Sequence, residues 1–120
     1  MSLKLKRAYD PPTSRDGIRI LIDRLWPRGV KKEDAKIERW LKDLAPSTEL
    51  RKWFGHDLAK WDEFQRRYRR ELETQHEQLA ELAAESRRRT VTLVFAARDD
   101  EHCNAVVLKD VLAEIAADGK

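Results

Sequence analysis

IRILID (18–23) is apolar at four of its six positions, rich in isoleucine, and followed at once by RLWPRG (24–29). A run this short and β-branched, bounded by a proline and a glycine, reads as a strand buried on both faces rather than as a turn of helix. TVTLVFAA (90–97) has the same character, and LKLKRAY (3–9) begins by alternating apolar and charged residues, the period of a strand with one face covered. Between the first two strands, PPTSRDG (11–17) holds two prolines, an Asp-Gly pair and no apolar residue, so it reads as a loop. Strands apolar on both faces are those of a sheet sandwiched by helices.

The helices are expected between and after these strands. Ile37, Trp40, Leu41 and Leu44 recur at helical spacing before Pro46. Ser47 is a candidate N-cap for a short helix through Leu50, Trp53 and Phe54, which Gly55 would stop. Asp57 would cap a helix with the stripe Trp61, Phe64, Tyr68 and Leu72, and another runs through Leu79, Leu82 and Ala83. Asp99 or Asp100 would cap a final helix carrying Leu108, Val111, Leu112 and Ile115. The long helical stretch between the second and third strands suits a parallel crossover. The expected fold is therefore α/β, a single domain over residues 1–120 with a small, mostly parallel sheet of three or slightly more strands flanked by helices.

In open α/β sheets, ligands collect at the carboxyl ends of the strands. The three exits here are RAYDP (7–11), DRLWPRG (23–29) and ARDDEHCN (97–104), and they hold most of the chemically versatile side chains. Charge is uneven in the same sense. The chain carries a net +3, yet residues 1–32 hold nine Lys or Arg against three Asp, a local +6. Guanidinium forks match carboxylate and phosphate oxygens, and an aromatic face can stack a flat group. Arg7, Tyr9, Arg24, Trp26, Arg28, Arg51 and Arg98 are accordingly the candidate ligand-binding residues for a small phosphate- or carboxylate-bearing anion. Each has a plainer role open to it: Trp26 as core packed on Pro27, the arginines as partners of neighbouring acids such as Asp23.

Catalytic candidates are Asp10, Asp23, His56 and Cys103. Cys103 is expected in the first turn of the last helix, where the helix dipole would lower its thiol pKa, although an incidental role weighs more. A lone cysteine cannot form an internal disulfide and fits a reducing, cytoplasmic setting. MSLKLKRAYD lacks the apolar core of a signal peptide, and no run approaches the roughly 20 apolar residues that cross a bilayer, so neither export nor a membrane is expected. His56, His76 and His102 are not at metal-ligand spacing, and no Walker loop, GxGxxG or GxSxG is present, so no metal and no cofactor are expected. The basic runs RRYRREL (66–72) and RRR (87–89) sit among glutamates and read mainly as solvated ion pairs. Two alternatives stay open: nucleic-acid binding by the same arginines with Trp26 as a stacking platform, and a protein-interaction module with Trp53 and Trp61 as exposed anchors. Oligomeric state is not legible.

KRAYDPPTSRDGIRILIDRLWPRGVKK, then PSTELRKWFGHD, then TLVFAARDDEHCNAVVL, together resemble the YeaO-like family of uncharacterised bacterial proteins, within domain of unknown function 488. The resemblance covers nearly the whole chain. Its motifs fall on Lys6, Arg7, Tyr9, Asp10, Asp16, Gly17, Arg19 and the run Asp23–Gly29 except Leu25, and again on Trp40, Pro46, Ser47, Leu50, Arg51, Phe54 and His56. It implies a compact cytoplasmic α/β domain without an established activity. The broader group's Cys-His-Arg helix start is echoed only in part, since Asn104 and Ala105 follow Cys103. That departure weighs against an essential thiol.

Overall fold

A computed structural model describes residues 2–118. Four strands, β1 (Leu3–Arg7), β2 (Ile18–Leu21), β3 (Arg39–Trp40) and β4 (Val91–Phe95), form one sheet in the order β1-β4-β2-β3. All three pairings are parallel, with Leu5 opposite Leu93, Leu93 opposite Ile20, and Ile20 opposite Arg39. Five α-helices accompany them: α1 (Lys32–Ala35), α2 (Thr48–Phe54), α3 (Trp61–Leu72), α4 (His76–Arg88) and α5 (Asn104–Asp118). The α/β expectation holds, with one strand added to the three read from the sequence.

Side-chain alternation divides the sheet. Leu3, Ile18, Ile20, Ile22, Val91, Leu93 and Phe95 face a core completed by Phe64, Tyr68 and Leu72 of α3, Leu79 and Leu82 of α4, and Leu108 and Leu112 of α5. On the other face the layer is thin. Ala8, Leu21 and Val94 are covered by Trp26, Ile37 and Trp40 rather than by a second bank of long helices. Arg19 and Thr92 also lie buried on this side, and loop 8–17 runs over it: Thr92 Oγ1 donates to Asp16 O at 2.6 Å, and Lys4 Nζ donates to Arg15 O. Gly17 closes that loop against β4. Its φ is +65°, and a Cβ there would collide with the Thr90 carbonyl, so only glycine fits.

The helix expected over residues 37–44 does not form. Glu38 N donates to Arg19 O and Leu41 N to Leu21 O, so the free edge of β2 takes this segment as β3, and a 3-10 turn (42–44) follows. Apolar residues at helical spacing arise here because Ile37 and Trp40 cover one patch while Leu41 and Leu44 pack on the main core. The caps of α2 stand as read. Ser47 Oγ accepts from Leu50 N at 3.1 Å and donates to Glu71 Oε2 at 2.6 Å, and Gly55 ends the helix in the left-handed region. Asp57 caps a 3-10 turn (58–60) that runs into α3. Asp99 caps the turn before α5, accepting from Glu101 N and His102 N, and the helix itself begins at Asn104, one residue beyond Cys103.

Candidate functional site

At the carboxyl ends of β1, β4 and β2 the sheet opens into a cavity of about 820 Å³, with α2 as its far wall. Its floor is built from buried or half-buried groups: Asp23, Phe54, Phe64, Cys103 and Asn104. Its rim is exposed and carries Arg28, Arg51, Arg98 and His56. The rim is also where the large apolar side chains reach solvent. Leu25 is 61% exposed, Leu58 57% and Tyr9 47%, and all three line this opening.

Asp23 leaves β2 pointing into the space between strands. Its Oδ2 accepts from Ala96 N at 2.9 Å and its Oδ1 from Asn104 Nδ2 at 3.1 Å, so the carboxylate ties the end of β4 to the start of α5. Burial pushes the Asp23 carboxyl above its ordinary value, against the lowering effect of these two bonds and of the Arg51 charge. Asn104 Nδ2 also donates to Ile22 O, which fixes the amide's orientation. Arg24 does not pair with Asp23. Its Nε and Nη2 donate to Pro46 O at 3.2 Å and Ala45 O at 3.4 Å, pinning the loop before α2 to the exit of β2. Trp26 is half-buried, with Nε1 donating to Val30 O at 2.6 Å and its ring edge-on to Trp40 at 5.5 Å. Trp40 Nε1 in turn donates to Asp23 O.

The cavity gathers Tyr9, Arg24, Trp26, Arg28, Arg51 and Arg98 of the candidate ligand set, and Asp23, His56 and Cys103 of the candidate catalytic set. Two candidates lie elsewhere. Arg7 turns its guanidinium into the fold, donating to Ala97 O at 2.9 Å and Ala96 O at 3.4 Å, with Tyr9 stacked beside it. Asp10 lines a separate, shallower depression with Pro11, Pro12 and Lys31. Trp53 and Trp61 are not the exposed anchors expected of an interaction module. Arg67 lies 4.2 Å from the Trp53 ring centroid, and Trp61 packs on Phe54, Phe64 and His102.

A family model described as the inactive DUF488-N3 subclade matches residues 2–120. The chain belongs to this DUF488-N3i family. Among similar proteins, the uncharacterized protein YeaO of Escherichia coli is 41% identical over 116 residues, 96% of this chain and 100% of the relative. The uncharacterized proteins Rv3073c of Mycobacterium tuberculosis and Mb3100c of Mycobacterium bovis are each 41% identical over 110 residues, 92% of both chains. No solved structure matches.

In this DUF488-N3i chain the expectation of a lowered thiol pKa fails. Cys103 is only 2% exposed, and burial pushes its thiol up, outweighing the two backbone N–H groups of Ala105 and Val106 that favour the thiolate. Asp23 and Asp99 add charge of the same sign. Asn104 and His102 are cavity residues that lie in the ARDDEHCN exit but outside the candidate ligand-binding and catalytic sets. His102 Nδ1 lies 3.0 Å from Asp99 Oδ2, an i, i+3 contact within one turn, which is the signal that could have marked it. Nothing local marks Asn104, whose partners are 81 and 82 residues away.

Proposed function

We propose that the cleft binds a small phosphate- or carboxylate-bearing ligand and holds it without chemical turnover, with residues 1–120 acting as one cytoplasmic domain. The observation that carries this reading is the placement of four arginines on one cavity at the strand exits. The side chains of three of them, Arg28, Arg51 and Arg98, make no hydrogen bond or ion pair among the described residues. The Arg51 charge acts on Asp23, so the donors of Arg28 and Arg98 are the ones offered to an anion. Binding is favoured over catalysis because the one thiol is buried and hard to ionise, and because the matching family is described as inactive. The basic runs elsewhere offer little to nucleic acid: Arg66 and Arg67 pair with Glu63, Arg69 pairs with Glu114, and the charges of Arg88 and Arg89 act on Glu85. No helix among the described residues is long and apolar enough to cross a membrane.

The test is thermal unfolding in increasing inorganic phosphate and small phosphate esters, for the natural chain and for Arg28→Ala/Arg98→Ala. Anions should raise the melting temperature of the natural chain, as a ligand of the folded state must, and raise that of the double variant much less. Equal shifts in the two proteins would remove the reading.

A further inference from the structure

The cavity is polar in two opposite senses. Its rim presents guanidinium groups, while its floor presents a carboxylate, Asp23, which a simple anion would avoid. A ligand that fills both parts must carry its negative charge at one end and hydrogen-bond donors at the other. The donors can be specified further. A carboxylate offers about four acceptor sites over its two oxygens, and here each oxygen uses one, for Ala96 N and for Asn104 Nδ2. One acceptor site per oxygen is left, which is as many as a pair of adjacent N–H groups on a planar edge would use. The walls suit a planar group as well. Phe54 and Phe64 stack at 4.3 Å and both line the space, with Leu58 and Leu25 above them at the rim.

We propose that the ligand is a guanine nucleotide, its N1–H and N2–H edge on Asp23 and its phosphate at Arg28 and Arg98. Of the common bases, guanine alone sets two adjacent N–H donors on one edge. This rests on the anion-binding reading above and names the ligand class of the same cleft. The volume suffices, since pockets for ligands of this size run to roughly 300–1,000 Å³. Asn104 takes on a role in this arrangement: held by Ile22 O, it keeps the Asp23 oxygens oriented toward the cavity.

Isothermal titration of the natural chain against GMP, IMP, AMP, ribose 5-phosphate and O-phosphoethanolamine tests it. IMP lacks the 2-amino group but keeps N1–H and should bind about tenfold more weakly than GMP. AMP, whose N1 is an acceptor facing the carboxylate, should bind more weakly than IMP, and ribose 5-phosphate, with no base, more weakly than GMP as well. Asp23→Asn should erase the preference for GMP over IMP without weakening ribose 5-phosphate. Ribose 5-phosphate or O-phosphoethanolamine binding as tightly as GMP would overturn the base assignment and leave the anion reading standing. Equal binding of GMP, IMP and AMP would do the same. No binding of any of the five compounds would overturn both. The compound series on the natural chain decides between these outcomes even if Asp23→Asn fails to fold.

Discussion

Two aspartates flank β2, and the chain treats them in opposite ways. Asp16 stands before the strand and Asp23 after it. Asp16 is buried in a full set of donors: Lys6 Nζ at 3.1 Å from both oxygens, Arg19 Nη1 at 2.7 Å, Thr13 N at 3.1 Å and Thr13 Oγ1 at 3.0 Å. Burial alone would raise its pKa, but the Thr13 N–H and the two cations more than offset that and hold it at about 2. Asp23 meets two neutral donors and a cavity, and burial wins, so its carboxyl is pushed up. One end of the strand is closed and satisfied; the other keeps acceptor capacity facing open space. A carboxylate matched by cations supports a fold, whereas one left partly unmatched at a cleft is a candidate for recognising something.

The largest effect should come from the closed end. Asp16→Asn leaves Arg19, only 3% exposed and already with one unpartnered Nη2, without its counter-charge. Breaking a buried pair on one side costs roughly 3–5 kcal/mol, readable as a lowered urea midpoint at constant slope. A loss under about 1 kcal/mol, the worth of a surface pair, would erase the distinction between the two ends.

Acid sharpens the same contrast. With a folded pKa of about 2 against an ordinary 3.8, Asp16 contributes stability that is complete above the ordinary value and is lost as pH falls toward 2. That contribution is about 2 kcal/mol, at roughly 1.4 kcal/mol per unit. Asp23 has the reverse sign. Its folded pKa is raised, so the folded state takes up a proton before the unfolded chain does, and falling pH favours the fold through that window. Urea midpoints followed from neutral pH down to about 2 should therefore fall late in the natural chain. The fall over the Asp16 window should shrink by that amount in Asp16→Asn, what remains coming from the other lowered carboxyls such as Glu85 and Asp99. An unchanged acid limb in that variant would assign the whole of it to those carboxylates.

Much of this was legible from local pattern. Ile18–Leu21 and Val91–Phe95 announce themselves as strands because β-branched residues buried on both faces leave little else they can be, and Ser47 and Gly55 bracket α2 by capping chemistry that acts within a few residues. β3 was not legible. Arg39 and Trp40 have no strand pattern of their own and are extended because β2 offers them an edge. The site divides the same way. The strand exits place Arg24, Arg28 and Asp23 by topology alone, but Arg7 looks identical in sequence and turns inward to two carbonyls of residues 96 and 97. Whether an arginine faces a cavity or a carbonyl is settled by partners far along the chain, as is the role of Asn104.

The smallest expected effect on stability is at the open end. In Asp23→Asn the side-chain carbonyl can still accept from Ala96 N, so the tie to β4 survives. The new amide meets the Asn104 amide donor, and one hydrogen bond of about 1 kcal/mol is lost. Against that, a buried charge with no cation bonded to it is removed, which relieves a desolvation cost of the opposite sign. The two nearly cancel, so the urea midpoint should move by no more than about 1 kcal/mol in stability, several-fold less than for Asp16→Asn. The favourable response to acid assigned to Asp23 should vanish with it. Should Asp23→Asn instead unfold the chain as readily as Asp16→Asn, Asp23 holds β4 to α5 as a structural clasp, and the cleft would have to recognise its ligand with the rim alone.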